Sequence, residues 1–183
     1  LQSQVIKYLF CLTIFLTACN QYPERFNRQN LTAEENAMLE AFLARRDRFD
    51  NFIEANHIKL FTCPGCGYPT LKERGTYDIC AVCNWEDDNQ DNANADDILG
   101  GPNYNISLTE NRLRIGKELK HIADSLNGKL ISDCRVVLNM LKLHEIRMRS
   151  IISKISPSTD ISDPLWTEYR LESRKVLNDL IQR

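Results

Sequence analysis

Two Cys-x-x-Cys pairs, Cys63-Pro64-Gly65-Cys66 and Cys80-Ala81-Val82-Cys83, constrain this chain more than any other feature. Thirteen residues separate the pairs, the length of a hairpin. Four thiolates at such spacing can close a tetrahedral shell around one divalent ion, with zinc–sulfur bonds of about 2.3 Å. Each pair is followed by a residue that tolerates positive φ, Gly67 and Asn84, as a tight metal knuckle requires. The pattern predicts a metal centre with Cys63, Cys66, Cys80 and Cys83 as ligands and zinc as the cofactor. Two disulfides would need an oxidising compartment and would leave the matched knuckles unexplained. A redox dithiol places one pair at a helix N-terminus in a strand–helix unit, and neither pair reads that way.

The surrounding residues extend the pattern. Cys63-Pro64-Gly65-Cys66-Gly67-Tyr68, Glu73-Arg74-Gly75-Thr76-Tyr77-Asp78-Ile79-Cys80 and Cys83-Asn84-Trp85-Glu86-Asp87-Asp88 with Gln90-Asp91 resemble the bacterial cysteine-rich CPCC domain family. The later Gly100-Gly101-Pro102-Asn103 and Ser107-Leu108-Thr109-Glu110-Asn111-Arg112 match its downstream part. The resemblance covers about residues 60–115 and implies a module similar to zinc ribbons, without implying an activity. Gly65 departs from the family, many of whose members carry another residue there. The first knuckle also resembles that of a rubredoxin, which would hold iron. Rubredoxin pairs are much farther apart, which favours zinc.

The first nineteen residues differ from the rest. Lys7 precedes an apolar run from Tyr8 to Leu16, too short to span a bilayer but suited to the apolar region of a signal peptide. Leu16-Thr17-Ala18-Cys19 resembles a lipobox, which predicts lipidation of Cys19 and a cell-envelope lipoprotein. The alternatives are a buried N-terminal element and a cytoplasmic location. The chain then divides into a signal peptide with lipobox at 1–19, a linker at 20–31, a helix at 32–58, the cysteine-rich ribbon with an acidic loop at 59–104, and a helical region at 105–183.

Thr32 and Glu35 form a capping box that starts a helix from about Ala33 to Ala55, with Arg45 interrupting its apolar stripe. Leu60-Phe61 should lead as a strand into the first knuckle. Residues 69–72 and 77–79 should pair as a hairpin turning at Arg74-Gly75. Ser107 and Glu110 make a second capping box, for a helix ended by Asn127-Gly128. A third helix should start at Ser132 or Asp133 and run to about Ile155, with Val136, Val137, Met140, Leu141, His144, Met148 and Ile151 as its apolar face. A fourth should start at Asp163-Pro164. The expected fold class is α+β: a small zinc ribbon packed between an N-terminal helix and about three C-terminal helices.

Residues 86–97 hold six acidic residues and no Lys or Arg. Asp87, Asn89 and Asp91 alternate as at the start of a calcium loop, but Asn92 and Ile98 replace the required Gly and Glu. A solvated acidic loop, helped by Arg45, Arg46 or Arg48, is expected. His57, His121 and His144 read as structural or exposed, because four cysteines already complete the shell. A closed shell leaves no position for an activated water, and no hydrolase or nucleotide-binding motif is present, so no enzyme is expected. Net charge is −2, which gives no general drive toward nucleic acid or membrane. The third helix is basic through Arg135, Lys142, Arg147, Arg149 and Lys154, but the acidic loop beside the ribbon opposes phosphate. The reading is a non-catalytic zinc-binding, protein-interaction module, tethered by a lipid anchor. One form is an immunity-like protein that binds its partner through the acidic loop. The alternatives are a cytoplasmic nucleic-acid-binding ribbon and a thiol oxidoreductase.

Overall fold

The computed structural model describes residues 25–183. The leader and Cys19 lie outside these residues, as do residues 20–24 of the expected linker. Four helices carry the architecture: α1 (Ala33–Ala55), α2 (Leu108–Leu126), α3 (Cys134–Ile152) and α4 (Pro164–Asp179). Two short antiparallel ladders accompany them, β1 (Phe61–Thr62) with β2 (Pro69–Leu71) and β3 (Lys129–Leu130) with β4 (Ile181–Gln182). The fold is α+β, with the cysteine-rich segment between α1 and α2. No helix among the described residues is long and apolar enough to cross a membrane.

Helix starts follow the local chemistry. The Thr32 hydroxyl accepts from Glu35 N at 3.1 Å while Glu35 accepts from Thr32 N at 3.0 Å. Ser107 and Glu110 repeat this reciprocal cap at α2. Each box satisfies two backbone donors that a helix start otherwise leaves open. Asp133 caps α3 through Arg135 N and Val136 N, and Asp163 caps α4 ahead of Pro164. Asn127, in the left-handed region at φ 47°, closes α2. Helix α3 ends at Ile152, about a turn before the expected Ile155.

One core links all the elements. Phe49 of α1, Tyr68 and Leu71 of the ribbon, Ile115 and Leu119 of α2, Val137 of α3 and Val176 of α4 are buried in a single cluster with the four cysteines. Helix α1 lies on α2, and α3 on α4. The buried stripe of α1 is Leu39, Phe42, Arg45, Phe49 and Ile53. Leu39 thus joins the stripe, while Ala37 and Ala41 are exposed. Arg45 does not interrupt this face: it is buried within it. Val136, expected on the apolar face of α3, is half exposed.

The ribbon's strand pairing differs from the expected hairpin. Residues 69–71 pair backwards with 61–62, around the first knuckle. Residues 77–80 pair forwards with 85–87, around the second, through Tyr77 N to Asp87 O at 3.0 Å and Cys80 N to Trp85 O at 2.9 Å. Each knuckle therefore closes its own short ladder, and Arg74-Gly75 turns between two ladders rather than within one. The reason is local: a C-x-x-C turn reverses the chain, so the residues flanking each pair meet first.

Candidate metal centre

The two knuckles are built alike. Cys63 N donates to Tyr68 O at 2.8 Å and Gly67 N to Cys63 O at 2.8 Å. In the second, Cys80 N donates to Trp85 O at 2.9 Å and Asn84 N to Cys80 O at 2.9 Å. Gly67 and Asn84 have φ of 74° and 58°, the left-handed turn that the sequence predicted at both. Gly65 N and Val82 N point at the first sulfur of their pairs, at 3.3 and 3.4 Å. Tyr68 and Trp85 complete the repeat as buried aromatics at equivalent places. The hexapeptides Cys63–Tyr68 and Cys80–Trp85 are thus a short structural repeat, whose signal was the aromatic after each left-handed residue.

This arrangement brings all four predicted sulfurs together. They lie within 4.8 Å of one another, and Cys63–Cys83 and Cys66–Cys80 are each 3.6 Å apart. A tetrahedral site with bonds of about 2.3 Å needs sulfur–sulfur edges of about 3.8 Å. A disulfide needs about 2.05 Å, so no pair among them is oxidised. All four are buried, at 1% exposure or less. Among the described residues this is the one group of His, Cys, Asp or Glu placed to hold a metal ion.

The electrostatics fit a cation. Burial pushes the Cys63 and Cys66 thiols well above their ordinary pKa. Burial acts the same way on Cys80, but hydrogen bonds from the other thiols and from Thr70 outweigh it and pull Cys80 well below. The Thr70 hydroxyl lies 3.0 Å from Cys80 Sγ. Four buried sulfurs cannot all ionise side by side without a positive ion among them. A divalent ion removes that obstacle, and the resulting centre would still carry a net charge of about −2.

Three arginines surround the knuckles on their carbonyl side. Arg45 Nε of α1 donates to Cys66 O at 2.8 Å. From α2, Arg112 Nε donates to Pro64 O at 2.9 Å and Arg114 Nη2 to Cys83 O at 2.7 Å. Arg45 stacks over the Tyr68 ring at 5.0 Å and Arg112 over Phe42 at 4.2 Å. Burial, with the charge of Arg46, brings Arg112 down to about 10, so it stays charged at neutral pH. These guanidiniums satisfy backbone acceptors that the knuckle turns leave open, and they place positive charge beside the thiolates. Sequence reading missed this role. Its signal was an arginine on the apolar stripe of α1 and another in an apolar stretch of α2.

Gly65 sits where nothing larger fits without movement. A Cβ there would lie 2.5 Å from Asn111 Nδ2, 3.1 Å from Trp85 Cβ and 3.2 Å from Cys83 Sγ. Trp85 is 3% exposed and packs against the first knuckle.

The acidic loop is not simply solvated. Asp87 is fully buried, and its Oδ2 accepts from Arg74 Nε at 2.9 Å and Gly75 N at 2.7 Å. Asp91 is clamped between Arg46 of α1 and Arg74, the latter at 2.8 Å. Asp96 pairs with Arg28 at 2.7 Å and Asp97 with Arg25 at 3.3 Å. Of the three arginines expected to help, only Arg46 does so. The others that hold the loop are Arg25, Arg28 and Arg74, with Arg112 donating to Asn92 Oδ1 at 2.8 Å. Of the residues that alternate as in a calcium loop, Asp87 and Asp91 hold arginines in this structure. The histidines lie outside the sulfur cluster: His144 is buried with Nδ1 3.6 Å from Glu172 Oε1 in the α3–α4 contact, and burial lowers its pKa. His57 and His121 are exposed.

Fold and site together define a two-knuckle module, braced by helices, whose four cysteines are placed to hold a metal ion. Residues 61–117 match the family described as cysteine-rich CPCC. The match runs from β1 into α2 and includes all four cysteines with Arg112 and Arg114. No curated protein and no solved structure matches the chain.

Proposed function

We propose that this protein is a non-catalytic zinc-binding module whose metal holds together a protein-interaction scaffold at the bacterial cell envelope. The observation that carries the reading is the burial of all four thiols at tetrahedral spacing, inside a ring of backbone and arginine donors. A segment with ladders only two or three residues long cannot bury enough apolar surface to hold itself, so a structural ion is what such a segment lacks. The same burial counts against a thiol oxidoreductase, which needs an accessible, low-pKa sulfur. Zinc fits better than iron because the short spacing and the closed shell suit a redox-silent structural ion.

Envelope tethering rests on the leader from Lys7 to Cys19, and lipidated Cys19 is the anchor. With the acidic loop tied to arginines, a protein partner would meet other surfaces. Of the basic residues on this helix, Arg147 is engaged by Glu172 at 2.9 Å and Arg149 by Glu145, which takes two of its charges out of a nucleic-acid surface. Expression of the full precursor in a bacterial host, followed by membrane fractionation and intact mass, tests the anchor. Acylated protein in the membrane fraction, lost in Cys19→Ala, is expected. Soluble protein that retains residues 1–18 would overturn the envelope assignment.

A further inference from the structure

A groove of about 700 Å³ runs between the end of α1, the outer arms of the two knuckles, and α3. Its lining includes the apolar side chains of Phe52, Leu60, Ile79 and Leu141. Ile79 is 64% exposed, an apolar side chain that the described residues leave uncovered. The α3 wall carries Arg135, Asn139 and Lys142. These stand at i, i+4 and i+7, on one line of the helix that spans about 10 Å. Among the described residues none of the three makes a side-chain hydrogen bond or ion pair. The remaining charges on this side are already matched: Lys72 lies 3.6 Å from Glu145, which also binds Arg149. Asp78, on the opposite wall, has no ion-pair partner among the described residues.

We propose that this groove binds a linear aliphatic carboxylate of medium length. The volume lies within the range of small-molecule sites, and the lining has their pattern of apolar side chains with a few polar groups. Arg135, at one end of this line, offers a guanidinium to a negative head group, and Lys142, about 10 Å on, adds attraction at longer range. A guanidinium fork meets a carboxylate in two parallel hydrogen bonds. Asp78 repels that head from the knuckle wall and so fixes the direction in which the ligand lies. The lining positions of α3 extend from Arg135 to Glu145, about 15 Å, which accommodates the tail along the apolar side chains. The proposal is independent of the envelope anchor; because residues of both knuckles line one wall, it is tested on metal-loaded protein.

The test is calorimetric titration of the purified protein with dodecanoate, dodecanol and dodecyltrimethylammonium, each below its aggregation threshold. Dodecanoate should bind saturably at one per chain, about tenfold or more tighter than the alcohol, the worth of one charge-assisted hydrogen bond. The double variant Arg135→Gln/Lys142→Gln should lose this preference while keeping weak binding of the alcohol. Ile79→Asp, a change at an exposed side chain, should abolish binding of both dodecanoate and dodecanol, with circular dichroism and metal content unchanged. The proposal is overturned by absence of saturable dodecanoate binding, by equal affinity for the three probes, or by a carboxylate preference that survives in the double variant. Stable self-association through this face would also overturn it, because a second copy would then occupy the groove.

Discussion

Replacing Arg112 by Met should destabilise the metal module out of proportion to a single side chain. Methionine keeps much of the apolar bulk, so the change removes the guanidinium more than the volume. Three things are lost: the hydrogen bond to Pro64 O at 2.9 Å, the bond to Asn92 Oδ1 at 2.8 Å, and the stacking over Phe42 at 4.2 Å. The Pro64 carbonyl lies in a buried residue and would be left without its partner, at a cost of about 1–3 kcal/mol. Loss of a desolvated cation–π contact adds about 1–2 kcal/mol. The expected total is about 2–4 kcal/mol, measured by urea unfolding of the metal-loaded protein. Arg112→Lys should recover only part of this, because an ammonium keeps the charge but cannot reach Pro64 O and Asn92 in the fork geometry. Competition with a chelator should show weaker metal binding in Arg112→Met than in Arg112→Lys. A loss below about 0.5 kcal/mol, the level of an ordinary surface change, would refute the bracing role assigned to this arginine.

Gly65→Ala should cost about 1–3 kcal/mol through overpacking, and Asn111→Ala in the same chain should restore part of it, because the new methyl meets Asn111 Nδ2 at 2.5 Å. Additive losses in this double-mutant cycle would show that the clash is elsewhere. Acid should reveal the clamp on Asp91: burial alone would raise its pKa, but hydrogen bonds from Arg46 and Arg74 hold it well below the ordinary 3.8. A carboxyl depressed in the folded state contributes stability above its unfolded pKa, and the contribution disappears as pH falls through the folded value. The stability gap between wild type and Asp91→Asn should therefore stay constant from pH 7 to about 4 and narrow below it; a constant gap down to pH 2 would contradict the clamp.

The helices were legible because their signals are local. Both capping boxes, the Asp163-Pro164 start and the Asn127 stop act within a few residues of themselves. The sulfur site was legible for a related reason: a C-x-x-C followed by Gly67 or Asn84 specifies its own turn, whatever surrounds it. The strand pairing was not, because residues 69–71 are equally close in sequence to 61–62 and to 77–79. The choice between them is made by the knuckle turn at Gly67 rather than by hydrophobic alternation. Nor was the arginine ring legible, since Arg45, Arg112 and Arg114 reach knuckle carbonyls 21, 48 and 31 residues away. Burial of Asp87 escaped for the same reason. An aspartate in an acidic run reads as solvated until its partner, Arg74, is placed beside it by the fold.

The central claim is one structural zinc on four thiolates. Metal analysis of native protein, joined to X-ray absorption at the metal edge, tests it most directly. The account predicts about one zinc per chain with four sulfur neighbours at about 2.3 Å. Metal-free protein in which the four knuckle thiols titrate, iron in place of zinc, or a first shell containing nitrogen or oxygen would contradict it.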